Sequence, residues 1–178
     1  MNQMVYQIIG ILLQYPTQQM HDALPEIKEE IEQVEHADIK SYLNQFLTEL
    51  ADLSFSEWVD HYINHFDFGR TTNLYMTYLK LGEQRERGLE LLKLKKYFEA
   101  HGFEVTNKEL PDFLPLVLEF CANVPEETSR EFLGMYQQEI EAIRKQIVEQ
   151  KSFYHLLLDA LVLHMKNNGL LKESLTTE

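Results

Sequence analysis

Apolar residues recur along this chain at the 3.6-residue spacing of a helix, and nowhere does a two-residue alternation persist. Met4, Val5, Ile8, Ile9 and Leu12 follow that repeat, and Tyr15-Pro16 stops it. Ile27, Ile31 and Val34 mark a second, acidic helix after Pro25, and Ile39, Leu43, Phe46, Leu47 and Leu50 mark a third. Ser54-Phe55-Ser56-Glu57 is a capping box opening a helix with Trp58, Val59, Tyr62, Ile63 and Phe66, which ends before Gly69. Leu74–Leu81 predicts a short helix closed by a left-handed Gly82. Glu83–His101 predicts a longer one with Leu89, Leu92, Tyr97 and Phe98 at apolar positions and Gly102 beyond its end. Behind Asn123-Val124-Pro125-Glu126, one helix carries Phe132, Leu133, Tyr136, Ile140, Ile143 and Ile147 on one face. Ser152 caps a last helix that Gly169 terminates, and the polar segment 172–178 reads as a frayed tail. Phe103-Glu104-Val105 is too short to count as a strand. The expectation is an all-α, compact bundle of about eight or nine helices in a single domain over residues 1–178.

Twelve glycines and prolines among 178 residues agree with helices rather than a turn-rich sandwich. The net charge of −13 lacks the basic footprint of a nucleic-acid binder and disfavours an anionic membrane surface. Residues 1–60 carry −9 of it, residues 61–120 only −1 and residues 121–178 the remaining −3. Cys121 is the only cysteine, which excludes an internal disulfide and a multi-cysteine zinc site. It lies in the run Leu118–Ala122 and reads as a small buried hydrophobe. The N-terminus lacks the basic start of a secretory signal, and the apolar stretch Leu156–Met165 is well short of a bilayer span. A soluble cytoplasmic protein without stable membrane insertion is expected.

Catalytic patterns are missing. His61 and His65 have the spacing of zinc-binding helices, but the residue after the first histidine is Tyr62 where a zincin needs glutamate. None of the seven histidines has glutamate three residues before it, as a di-iron bundle requires. No phosphate-binding glycine loop or nucleophile elbow occurs. A binding protein without catalytic or metal-ligating residues is therefore expected.

Three segments of the middle third carry polar residues that packing alone does not explain. In Tyr62–Phe68 the carboxylate Asp67 stands between two phenylalanines, with Arg70 beyond Gly69. Asp67 either pairs with Arg70 or caps the next turn, or it faces a ligand. Gly82–Gly88 is a charged helix start, and its interior Gly88 costs about 1 kcal/mol against alanine. Close helix approach or room for a ligand would justify that cost. In Glu109-Leu110-Pro111-Asp112-Phe113-Leu114-Pro115, the proline keeps Leu110 extended and makes Asp112 an N-cap candidate.

Taken in order, these motifs resemble the NarJ-type nitrate reductase molybdenum cofactor assembly chaperones, the delta-subunit branch of the TorD-like redox-enzyme maturation family. The resemblance rests on Tyr62–Asp67, Leu74-Tyr75, Gly82–Gly88, Tyr97, Gly102-Phe103 and Glu109–Pro115, with Leu12–Pro16 as the opening. Its specific part covers residues 58–120. It implies a helical chaperone, not an enzyme, that binds the N-terminal segment of the apo catalytic (alpha) subunit of a nitrate reductase. Such a chaperone supports molybdenum cofactor insertion and complex assembly before membrane docking. The cofactor then belongs to the client, no cofactor is stably bound by the chaperone, and cofactor-delivery proteins are possible further partners. Relatives in the wider family carry histidine after the Glu-x-Pro-x-Asp run, whereas Phe113 follows Asp112 here, so a histidine-dependent role is not carried over.

Under this reading Asp67, Glu109, Asp112 and Glu119 edge a peptide-binding groove in which Tyr62, Phe66, Tyr75 and Phe113 are apolar contacts. Arg70 and Arg87 orient the carboxylates. The alternatives are a chaperone of the same family for a different molybdoenzyme and an unrelated helical peptide-binding adaptor.

Overall fold

The computed structural model describes residues 2–67 and 72–169. Arg70 and the tail 172–178 lie outside the described residues. Among the described residues are eleven α-helices and one π-helical turn, more pieces than the sequence pattern suggests, and no strand. In order they are α1 (Asn2–Leu12), α2 (Gln18–Asp22), α3 (Leu24–Glu32), α4 (Ala37–Ala51) and α5 (Phe55–Tyr62). The π turn (Ile63–Asp67) continues α5. Then come α6 (Tyr78–Leu81), α7 (Arg85–Ala100), α8 (Leu114–Asn123), α9 (Glu126–Met135), α10 (Gln137–Glu149) and α11 (His155–Asn167).

The extra pieces have local causes. Helix α2 buries only Met20, so it has no apolar period to detect, and its start is fixed by Thr17, whose hydroxyl accepts from the Met20 N–H at 3.1 Å. The single helix expected behind Pro125 is two. Tyr136 leaves helical geometry at φ −120° and ψ 20°, and its hydroxyl donates to Glu90 on α7 at 2.7 Å. The buried face nevertheless runs on through Phe132, Leu133, Ile140, Ile143 and Ile147, so periodicity does not register the break. The helix expected from Leu74 shrinks to Tyr78–Leu81 because the chain before it pairs with another segment. Gly82 has the positive φ expected of it, 56°, but its ψ of −132° is not left-handed helical.

Capping is legible where side-chain chemistry sets it. Both bonds of the Ser54/Glu57 box are made, each at 3.1 Å. Ser152, expected to cap the last helix, stands two residues ahead of that position: its Oγ accepts from the Tyr154 N–H at 3.2 Å, whereas Tyr154 is the N-cap residue of α11 and makes no side-chain capping bond.

The core is built around two long pairings, α1 along α8 and α11 along α4. At the first, a Cβ added to Gly10 would stand 3.1 Å from Leu118 Cβ and 3.4 Å from the Pro115 carbonyl, so glycine sets the distance between the helices. Trp58 on α5 and Tyr154 before α11 are both buried, and the indole N–H donates to the phenol oxygen at 2.7 Å. Phe98, Phe120 and Phe132 tie α7, α8 and α9 together with ring centroids 4.5 to 5.4 Å apart. Helix α7 contributes only Leu94 and Phe98 to the buried set; Leu89 and Leu92, expected on its apolar face, are 64% and 49% exposed. Cys121 is buried in this core, and burial pushes its thiol well above the ordinary range.

Candidate functional site

A groove of about 640 Å³ opens where the end of α1, the π turn and the start of α8 meet. Seven of the eight expected peptide-binding residues line it: Tyr62, Phe66, Asp67, Tyr75, Glu109, Phe113 and Glu119. Tyr62 and Glu119 are 57 positions apart in the chain, and three local devices bring the set together.

The first is the change from α to π winding at Ile63, which carries Phe66 and Asp67 round to the groove beside Tyr62. Tyr62 is buried and donates its hydroxyl to the Leu13 carbonyl at 3.1 Å, fixing α5 to the end of α1. Its ring packs 4.9 Å from that of Phe66, which is also buried, so these two form the floor. Burial, with smaller contributions from nearby anionic groups, pushes the Tyr62 phenol far above its usual range and keeps it neutral.

The second device is a single antiparallel bridge between Tyr75 and Phe113. The Leu114 N–H donates to the Leu74 carbonyl at 2.7 Å and the Met76 N–H to the Asp112 carbonyl at 3.0 Å. The two rings lie 5.1 Å apart and form one wall. A turn supports it, with Pro111 in second place and the Phe113 N–H returning to the Leu110 carbonyl at 3.1 Å.

The third device lies behind that wall. Asp112 was expected on the groove edge or as an N-cap, and it is neither. Its side chain is fully buried, and Phe113 is the N-cap residue of α8, with no side-chain capping bond. The carboxylate accepts from the Thr77 hydroxyl at 2.6 Å, the Thr77 N–H at 3.2 Å and Arg87 Nη2 at 3.2 Å. Arg87 in turn spans the rings of Tyr75 and Tyr78, 5.8 and 5.3 Å from their centroids. The bridge forces the turn inward at this point, so the carboxylate that sequence spacing groups with Glu109 belongs to the scaffold. Arg87, expected to orient the groove's carboxylates, contacts the buried Asp112.

The rim is acidic. Asp67 and Glu119 are exposed, and Glu109 is half-buried. Glu109 accepts from the Tyr75 hydroxyl at 2.8 Å and from the Leu110 N–H at 2.9 Å. Burial first, then that bonded carboxylate, pushes the Tyr75 phenol far above its usual range, so Tyr75 is the donor at any working pH. Lys108 is the one cation lining the groove among the described residues.

Sequence reasoning did not name Gln14, Tyr15, Thr17, Leu74, Lys108, Pro115 or Leu116 as lining residues, although Leu74 and Pro115 stand in the motifs it singled out. Tyr15 matters most. It is 46% exposed and meets Tyr62 edge-to-face at 5.6 Å. In sequence it reads as a helix stop before Pro16 and as part of the Leu12–Pro16 opening, and nothing local says that it stands over a ring 47 positions away. An aromatic residue with no place in a helical repeat was the available signal.

The His61/His65 pair is used internally. His61 Nε2 lies 2.8 Å from Ser152 Oγ, and His65 Nδ1 donates to the His61 carbonyl at 2.9 Å, with the two rings stacked at 4.1 Å. Desolvation, then the neighbouring His65, lowers His61 to about 4, so it is neutral at pH 7. No group of three or more candidate metal ligands occurs among the described residues, nor is any helix there long and apolar enough to cross a membrane.

An apolar floor with three carboxylates on its rim can hold an extended or helical segment carrying both apolar and basic side chains. It offers no nucleophile and no base positioned against a reacting atom. The sequence model of the family described as nitrate reductase delta subunit matches residues 14–160, which include every lining residue of the groove. A Bacillus subtilis (strain 168) nitrate reductase molybdenum cofactor assembly chaperone, NarJ, is 38% identical over 167 residues, 94% of this chain and 91% of its own. The Escherichia coli (strain K12) chaperone of that name is 30% identical over 162 residues, 87% of this chain and 66% of its own. Among solved structures, a redox enzyme maturation protein from Archaeoglobus fulgidus matches with a TM-score of 0.69 over 92% of this chain and 93% of that one. At 16% identity that likeness is one of fold.

Proposed function

Because this chain belongs to the nitrate reductase delta subunit family, we propose that it is an assembly chaperone that binds the N-terminal segment of the apo catalytic subunit of a respiratory nitrate reductase. It holds that subunit competent for molybdenum cofactor insertion and complex assembly, and delays membrane docking until loading is complete. The relatives it resembles are named as assembly chaperones, which supports a binding role rather than a catalytic one. The cofactor belongs to the client, and this chain's residues act on the protein that receives it.

The observation that carries the reading is the pairing of the aromatic floor, Tyr62 and Phe66, with the acidic rim, Asp67, Glu109 and Glu119. A client segment that folds into an amphipathic helix lays its apolar stripe on the floor and the Tyr75–Phe113 wall. Its basic residues meet the rim. Tyr15, at the mouth, closes over the apolar side chains. Ordering such a segment opposes binding, so moderate affinity and reversible release are expected.

Isothermal titration of the full chain with a synthetic peptide of the client's N-terminal segment tests this. Binding is expected with the unaltered chain, and an Asp67→Lys/Glu109→Lys double variant is expected to weaken it at least about tenfold. Undiminished affinity in a double variant with unchanged circular dichroism would sink the assignment of the groove.

A further inference from the structure

Among the described residues, the charged lining of the groove is three carboxylates and a single ammonium, that of Lys108. Lys108 is exposed and directly precedes the rim residue Glu109. Its side chain carries only donors. Among the described residues, no hydrogen bond or ion pair engages them. Glu109, the carboxylate next to it in sequence, is committed elsewhere. Its Oε1 accepts from the Tyr75 hydroxyl at 2.8 Å and from the Leu110 N–H at 2.9 Å, which leaves Oε2 for a client cation. A lysine placed to relieve repulsion among the rim carboxylates would pair with one of them, and Lys108 does not.

By charge alone this lysine works against a basic client. Asp67, Glu109 and Glu119 attract such a segment, and Lys108 repels it. A neutral side chain at this position would bind a uniformly basic helix better, and the fold has no bond to lose by the change. The residue therefore acts on which segment enters the groove rather than on how tightly any basic segment is held. An aromatic floor rimmed only by carboxylates would accept every basic amphipathic helix. A like charge set against the wrong partners is one of the two routes to discrimination.

We propose, on the basis of the client-binding reading of the groove, that Lys108 is a specificity-determining residue. It pairs with an acidic side chain of the client segment and rejects amphipathic segments whose charges are all basic. Lys108 and Glu109 are consecutive, with Cα atoms about 3.8 Å apart, so the client residues they meet are also close together. On a helix these are an acidic and a basic residue three or four positions apart, whose Cβ atoms stand about 5–6 Å from each other. A pair of opposite charge at that spacing also favours the helical form of the segment and lowers the cost of ordering it. The groove thus takes a segment with an apolar stripe, basic residues toward its carboxylates and one acidic residue toward Lys108.

Isothermal titration of the full chain at low salt, with the synthetic peptide of the client's N-terminal segment, tests this by the sign of one substitution. Lys108→Met keeps the aliphatic stem and removes the charge. A cation that only opposed a basic peptide would tighten binding when removed. The proposal requires the reverse, a loss of about two- to fivefold. Lys108→Glu should weaken binding further, and should recover affinity for a peptide whose acidic residue is changed to lysine. Changing that acidic residue to its amide should cost the parent chain the same factor and the Lys108→Met chain nothing, because both changes remove one pair. Both variants alter an exposed side chain and should keep the circular dichroism of the parent. Affinity unchanged or raised in Lys108→Met overturns the proposal, as does a client segment without an acidic residue, or two changes whose effects simply add. The Asp67→Lys/Glu109→Lys variant separates the failures. If it weakens binding and Lys108→Met does not, the groove stands and the role of Lys108 falls; if it leaves binding intact, both fall.

Discussion

Glu109 and Asp112 lie three residues apart in one turn, and they end in opposite environments. Glu109 stands on the rim of the groove with Tyr75 beside it, whereas Asp112 is fully buried against Thr77 and Arg87. Both are carboxylates in the same motif, yet one faces the groove and the other holds up the groove's wall from behind. The contrast teaches that a polar motif marks a site without saying which of its members face it. The predictions below pull these two roles apart.

The scaffold side gives the largest effect. Removing one partner of a buried, hydrogen-bonded pair leaves a charge unsatisfied, at a cost of roughly 3 kcal/mol. Asp112→Ala should lower the urea midpoint accordingly, since Arg87 and two donors of Thr77 lose their acceptor. Peptide binding should fall along with stability. A variant that loses binding at full stability would return Asp112 to the rim.

On the groove side the pattern inverts. Glu109→Gln keeps the shape and removes one rim charge, so peptide affinity should drop several-fold, about 1 kcal/mol, while the urea midpoint barely moves. The measurement pairs titration with denaturation on the same sample, and a large stability loss would merge the two roles that the structure separates.

How much of this could be read in the sequence follows from the range over which the physics acts. The capping box at Ser54 and the helices α1, α4 and α11 depend on neighbours within a turn or two, and they are legible. Leu89 and Leu92 were expected inside because periodicity registers hydrophobicity, not whether a neighbour exists to cover it. The π winding after Tyr62, the break at Tyr136 and the bridge between Tyr75 and Phe113 are settled by contacts across the fold. The groove residues were recognisable through the resemblance to a family of chaperones. The inward turn of Asp112, and the arrival of Tyr15 over Tyr62, needed the bridge and the helix packing to be seen.

A smaller effect probes the floor from behind. Tyr62 and Phe66 both pack on Tyr154, and His61 stacks on that same ring at 5.7 Å. His61 titrates near 4 in the folded chain, below the 6.5 of an unperturbed histidine. Between those values the unfolded state binds the proton and the folded state does not. Stability from this group is thus complete above pH 6.5 and is lost as pH falls toward 4. After allowance for its partial exposure, the loss should be on the order of 1 kcal/mol. Thermal melts from pH 7 to pH 4.5 should show a decline that His61→Gln flattens, because glutamine can keep a bond to Ser152 without titrating. An equal decline in both proteins would move the effect to other groups.

The smallest expected effect falls at Tyr75, where the two regions touch. Its hydroxyl donates to Glu109 on the groove side, its ring packs on Phe113, and Arg87 lies against that ring from the scaffold side. Tyr75→Phe removes the hydroxyl and leaves both ring contacts. The scaffold should not register the change beyond about 0.5 kcal/mol, because the lost bond is partly exposed and Glu109 can turn to water. The groove should register it with the opposite sign. In the free chain the hydroxyl occupies one lone pair of Glu109, and a lysine or arginine of the client must share that carboxylate. Freeing it should raise peptide affinity about twofold, and the gain should vanish in a Tyr75→Phe/Glu109→Gln double variant. A gain that persists without Glu109 would mean that the hydroxyl obstructs the groove by its bulk. A loss of affinity would mean that Tyr75 itself donates to the client, and that the wall, as well as the rim, contributes polar recognition.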